Sequence, residues 1–189
     1  MRSFDQRSHS YLGYNLTVDG CIGGNEREFI IAIGKSAQTK FQFIAGDIVS
    51  GICEPVIDDR MEVAEFYKAS NLKIIEKNKE TASTAPPWLG ICPELEIYRQ
   101  RGHRRLDAKT YAAKCQSCFW GCNMAVEMII DQWNPDNKKF RTETFCYGPK
   151  SCPFYKAGPT RKVPGRKGMV WEEEDWVDED AVSHRGMDE

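Results

Sequence analysis

A chain of 189 residues with 41% hydrophobic content can bury one sizeable core, or two small ones if a metal or another staple holds the second. Its apolar runs fall far short of the ~20 residues that cross a bilayer, and its mostly polar first ten residues hold no stretch of signal-peptide type, so a cytoplasmic protein with no membrane segment is expected. The net charge of −2 conceals a split: residues 170–189 carry nine acidic side chains against Arg185 alone, whereas residues 99–167 carry 15 Lys or Arg against five Asp or Glu, a field that draws an anion.

The first third reads as strands. Phe29-Ile30-Ile31-Ala32-Ile33 is a short apolar run, Phe41 and Phe43 alternate around Gln42, and Ile48-Val49 and Ile52 follow a turn at Gly46-Asp47. One or two helical turns are expected at 62–67, then a strand over Leu72-Lys73-Ile74-Ile75. Residues 80–87, polar and closing on Pro86-Pro87, have the composition of a linker. Short strands separated by glycine turns predict a small barrel over residues 10–110, and a mainly β or α+β protein.

After an arginine-rich connection through Gly102-His103-Arg104-Arg105, Met124, Val126, Met128 and Ile130 alternate with Ala125, Glu127, Ile129 and Asp131, the period of a half-buried strand. Asn134-Pro135-Asp136-Asn137 is a turn, and residues 140–145 return as the second strand of a hairpin.

This hairpin separates two groups of cysteines, Cys115-x2-Cys118 with Cys122 before it and Cys146-x5-Cys152 after it. In a reducing compartment, clustered thiols point to metal. Zinc takes four thiolates tetrahedrally, and a Cys-x2-Cys turn delivers two of them without backbone strain. Cys115, Cys118, Cys146 and Cys152 are the expected ligands of a domain spanning 111–157, with Cys122 as the alternative fourth. The five-residue spacing of the second pair requires Tyr147-Gly148-Pro149-Lys150-Ser151 to loop out. An iron–sulfur cluster is the competing cofactor, since Cys115-x2-Cys118-x3-Cys122 with a distant Cys152-Pro153 is similar to ferredoxin-type spacing. Cys21, Cys53 and Cys92 have no spaced partner and are read as core residues.

Over about forty residues this layout resembles a zinc ribbon, and the strands before it resemble an OB-fold. Barrel followed by ribbon is similar to RNA-associated OB proteins carrying zinc ribbons, and to zinc-ribbon/OB proteins that attend acyl-CoA enzymes. The whole chain resembles an uncharacterised prokaryotic family that combines this ribbon with the closing Trp171-Glu172-Glu173-Glu174-Asp175-Trp176 element.

Basic and aromatic residues interleave through the C-terminal half. Cations neutralise phosphates while exposed rings stack on unpaired bases, so single-stranded RNA or DNA is the leading ligand. The candidate contacts are Arg101, Arg104, Arg105, Lys138, Lys139, Arg141, Arg161 and Arg166 with Trp120 and Tyr147. The acidic tail over 158–189, basic at its start and bearing two tryptophans, is expected to dock on this protein's own basic patch or on a protein partner, which makes an adaptor subunit the alternative function. Signatures of catalysis are missing: there is no Gly-x-Ser-x-Gly, no His-Glu-x-x-His and no dinucleotide fingerprint. Gly34-Lys35-Ser36 lacks the glycine a phosphate loop needs at position 29, which is Phe. His103 with Asp107 is the one constellation that suggests acid–base work, and local charge pairing in a turn is the favoured explanation for it.

Overall fold

The computed structural model describes residues 2–4, 8–79, 85–172 and 176–187. Part of the expected linker, at 80–84, and part of the acidic run, at 173–175, lie outside the described residues. The molecule is mainly β. The chain opens with two three-residue strands, β1 (Arg2–Phe4) and β2 (Ser8–Ser10), and then forms a long hairpin from β3 (Gly13–Ile22) and β4 (Asn25–Gly34). Gly23 and Gly24, at φ +57° and +85°, make its two-residue turn, in which both positions need positive φ. Ten register pairs, from Gly13↔Gly34 to Ile22↔Asn25, hold it without a slip.

The segment expected as a strand around Phe41 and Phe43 is instead helix α1 (Lys35–Phe41), ended by Gln42 in the left-handed conformation with its amide on the Gln38 carbonyl at 2.8 Å. Alternation was misleading here because the helix end reverses the chain and stacks Phe41 on Phe43, ring centres 5.3 Å apart. Asp47 then anchors the turn at Gly46. Its carboxylate accepts from the amides of Ile44 (3.0 Å) and Asn78 (2.9 Å) and pairs with Lys77 Nζ at 2.8 Å. Strands β5 (Ile48–Pro55) and β6 (Phe66–Glu76) follow, antiparallel with three register shifts. Residues 62–65 form no helix.

The first sheet runs β3-β4-β6-β5 and is open at both edges. The OB-like barrel expected over 10–110 is not closed among the described residues, and the reason is a shortage of strands. One expected strand is helix α1, and residues 95–105, as helix α2 (Leu95–Arg101) and strand β7 (Arg104–Arg105), belong to the second sheet's layer.

That second sheet runs β2-β1-β8-β9-β7, with β8 (Gly121–Ile129) and β9 (Lys138–Cys146) as the hairpin at its centre and β1 lying parallel to β8. The half-buried alternation expected of β8 does not hold. Met124, Ala125, Val126, Glu127 and Met128 are all buried, because both faces of this central strand are covered. Glu127 is accommodated by Lys138 Nζ at 2.6 Å. The main core gathers Tyr98, Trp120, Met124, Val126, Met128, Phe145 and Tyr147. After β9, β10 (Lys162–Pro164) and β11 (Val170–Glu172) form a small hairpin, and helix α4 (Trp176–Ala181) packs against β7.

Candidate metal centre

Three pieces of local structure carry the cysteines to the same end of the β8–β9 hairpin. The first is helix α3 (Ala108–Thr110), continued by a π turn to Cys115. Asp107 caps it, accepting from the Thr110 amide (2.9 Å) and hydroxyl (3.0 Å). The Asp107 carboxylate is therefore a helix cap, held below the usual carboxylate range by those two Thr110 donors.

Two successive turns follow, Cys118 amide to Cys115 carbonyl at 3.1 Å and Gly121 amide to Cys118 carbonyl at 2.9 Å. A Cβ on Gly121 would stand 2.5 Å from the Cys115 carbonyl oxygen, so this close approach requires glycine. Gly121 pairs in register with Cys146. Beyond Cys146, residues 147–151 loop out as the spacing demands, and a turn from Pro149 O to the Cys152 amide, 3.2 Å, returns the chain.

Cys115 and Cys146 pack together with Leu106, Tyr111 and Tyr155. Burial pushes the Cys115 thiol up to about 11, and the neighbouring sulfurs of Cys146, Cys118 and Cys152 push in the same direction. The Cys118 thiol is also raised by burial, against the pull of the Trp120, Trp88 and Gly121 amides that face its sulfur. Cys146 Sγ accepts from the Gly148 amide at 3.3 Å and lies 3.9 Å from Arg104 Nη2. Cys122 takes a different position, against the aromatic core, where burial raises its thiol to about 12. Cys92, which has no spaced partner in the sequence, joins this neighbourhood beside Cys118 and Tyr98. Only the fold brings it there. The sulfurs are neighbours without closing on a common centre: among the described residues, no three His, Cys, Asp or Glu side chains are arranged to hold a metal ion as they stand.

The donor set nevertheless suits a soft divalent ion. Buried thiols resist ionisation in an apolar site, and a coordinated metal reverses this by supplying the positive charge. Arg104 points the same way. It is 7% exposed, sits over Tyr155 with its guanidinium carbon 3.7 Å from the ring centre, and donates to the carbonyls of Gly148 (3.1 Å) and Pro149 (2.8 Å). No carboxylate pairs with it among the described residues, and a buried cation needs an anion. The Cys146 sulfur is the group placed to become one.

The basic and aromatic residues expected to contact nucleic acid divide into two sets. Trp120 (8% exposed) and Tyr147 (0%) lie inside the core and present no face to a base. Arg101 stacks on Trp120 at 4.4 Å and donates to the Tyr147 carbonyl at 2.6 Å, and Arg161 lies over Phe145 at 4.9 Å. The interleaving visible in the sequence is thus in large part internal cation–π packing. Lys138 pairs with Glu127, Arg166 reaches Asp131 at 3.5 Å, and Lys139 is exposed. Arg105, Arg141 and Arg161, in contrast, come together with Lys162 along one groove of about 380 Å³ beside β9.

The end of the chain folds back onto this region. Arg185, buried, donates to the carbonyls of Tyr147 (3.1 Å) and Gly148 (3.3 Å), the Lys150 ammonium donates to Arg185 O at 2.7 Å, and the Ser151 amide reaches Met187 O at 2.9 Å. The closing residues of the tail therefore dock on the protein's own cysteine loop. Among the described residues, no helix is long and apolar enough to cross a membrane. The chain matches no family model, no curated protein and no solved structure.

Proposed function

We propose that this protein is a non-catalytic binding module whose second sheet is fastened by a structural zinc ion on Cys115, Cys118, Cys146 and Cys152, and whose ligand is single-stranded nucleic acid. The observation that carries this reading is the gathering of those four thiols at one end of the β8–β9 hairpin beside a buried Arg104 that pairs with no carboxylate among the described residues. Four thiolates with Zn²⁺ carry a net −2, which Arg104 partly offsets. The zinc, when bound, supplies cross-linking and no reaction step. Cys122 is the poorer ligand candidate because it packs on the aromatic side. In this scheme the open sheet of residues 13–76 takes the place assigned from sequence to an OB-like barrel.

Nucleic acid is favoured by the excess of cations between residues 99 and 167. With Trp120 and Tyr147 inside the core, contact is assigned chiefly to phosphates, through Lys139, Arg141, Lys162 and Arg166. Fluorescence anisotropy of a labelled oligonucleotide at low and moderate salt tests this. Affinity should fall steeply as salt rises. A lack of binding at low ionic strength would remove nucleic acid as the ligand.

One observation favours the adaptor alternative. Trp133 (86% exposed) near the β8–β9 tip and Trp171 (60%) on β11 leave apolar surface on two hairpins that the Arg166–Asp131 pair ties together. Retention on heparin supports the nucleic-acid assignment. Loss of a co-purifying protein on replacing both tryptophans supports the adaptor.

A further inference from the structure

Strand β3 closes one side of the first sheet, and among the described residues no strand pairs with its outer edge. The direction of its backbone groups follows from β4. The Ile30 carbonyl accepts from the Glu65 amide at 2.9 Å, on the β6 side, so the polar groups of Ile31 face β3, where Ile31 is in register with Leu16. Even-numbered residues of β3 therefore bond to β4, and the amides and carbonyls of Asn15, Thr17, Asp19 and Cys21 point outwards. These four residues are exposed, and among the described residues none has a hydrogen-bond partner on that side.

The two edges of this sheet are built differently. β5, at the far edge, has three register shifts against β6 and ends on Pro55, features that bend an edge and block the addition of a strand. β3 keeps its ten register pairs with β4 without a slip, contains no Lys, Arg or Pro, and carries Asp19 as its one charge. A long, regular, nearly uncharged edge is a template for another strand.

The sequence of β3 complements itself. In an antiparallel two-fold pairing one residue faces its own copy and the others face their mirror positions. With the axis at Thr17, residues 13–21 of both copies align over about 30 Å, at about 3.4 Å per residue. On the exposed face Thr17 meets Thr17 and Asp19 meets Asn15, and on the half-buried face Leu16 meets Val18 while Tyr14 covers Gly20. An axis at Val18 sets Leu16 against Gly20 and loses the Leu–Val contacts. An axis at Asp19 opposes two carboxylates.

We propose that β3 pairs antiparallel with the β3 of a second copy of this chain, about a two-fold axis at Thr17, joining the two four-stranded sheets into one continuous sheet. The interface goes beyond the binding reading above and depends on neither the metal nor nucleic acid.

The test uses the full chain, with native mass spectrometry and sedimentation over a range of concentrations. The wild type should reach twice the chain mass. Thr17→Lys and Thr17→Glu each set like charges against one another across the axis, and each should weaken the dimer by about fivefold or more. Because the Thr17 side chain is exposed, both variants should keep the wild-type fold. An equimolar mixture of the two should form a heterodimer at least as tight as the wild type. Amide exchange followed by NMR supplies a second readout: the amides of Asn15, Thr17 and Asp19 should exchange slowly in concentrated wild type and faster on dilution. A wild type that stays monomeric at its highest soluble concentration overturns the proposal. So does a dimer that neither substitution weakens and in which those amides exchange fast, since it forms through another surface. Failure of the mixture to restore the dimer overturns the two-fold at Thr17, and protection of these amides only by a different, co-purifying protein overturns the second copy as occupant.

Discussion

Arg104 reaches the sulfur of Cys146, Nη2 to Sγ 3.9 Å, from a pocket that gives its guanidinium two carbonyls and an aromatic face and, among the described residues, no carboxylate. A buried cation beside a buried thiol is the arrangement expected where that sulfur becomes a metal-bound thiolate. The charge pair then lies inside the fold, and its value is greatest when the metal is present.

Arg104→Gln should accordingly weaken zinc retention by roughly 10–100-fold, the range for partners that support a ligand from outside the coordination sphere. Competition with a chromophoric chelator measures this. Arg104→Lys should recover only part of the loss, since a lysine cannot serve both carbonyls and the sulfur while also covering the Tyr155 ring.

His9 gives the fold a dependence on acid. Its ring stacks on His103 with centres 3.7 Å apart and hydrogen-bonds the Tyr147 hydroxyl. Burial, then the nearby His103 and Arg161, lower its pKa from 6.5 to about 2. The folded protein thus keeps His9 neutral, while the unfolded chain takes up a proton below about 6.5. Stability from this group is complete above that pH and is lost as pH falls from there towards about 2, by up to about 1.4 kcal/mol per pH unit. Denaturant melts between pH 7 and 5 should show this slope, and His9→Phe should flatten it.

Gly102 is where the returning tail meets α2. At φ +70°, with the Ala181 carbonyl oxygen 2.1 Å from where a Cβ would stand, it admits no side chain. Gly102→Ala should detach the segment that carries buried Val182 and Arg185, at a cost of about 2 kcal/mol or more. Deleting residues 182–189 should produce a similar loss, and both changes should speed zinc release, because Arg185 and Lys150 help to close the Cys146–Cys152 loop. Thermal melts and chelator kinetics on the two variants check this.

Local chemistry made the hairpin legible. Period-two residues on either side of Asn134-Pro135-Asp136-Asn137 form β8 and β9, and the Cys-x2-Cys turn lies at their base as its spacing implies. The failures came from contacts distant in sequence. β1 pairs with β8 across more than a hundred residues, Cys92 reaches Cys118 only through the fold, and the register of Arg104 with Cys146 draws residues 104–105 out of the first sheet. Phe41 and Phe43 imitate a strand because a left-handed residue between them turns a helix end into a stacked pair. The same ambiguity affected the arginines. A basic and aromatic mixture is written identically whether the rings stack on bases or, like Trp120 under Arg101, on the protein's own guanidinium groups.

Native mass spectrometry of the full chain, purified without chelator, bears most directly on the thiol site. One zinc per chain is expected, with a mass lower by the protons that the ligand thiols give up, and with that zinc retained in Cys122→Ser and lost in Cys146→Ser. A folded chain at its fully protonated metal-free mass, or one carrying iron and sulfide with visible absorbance, would contradict the zinc ribbon.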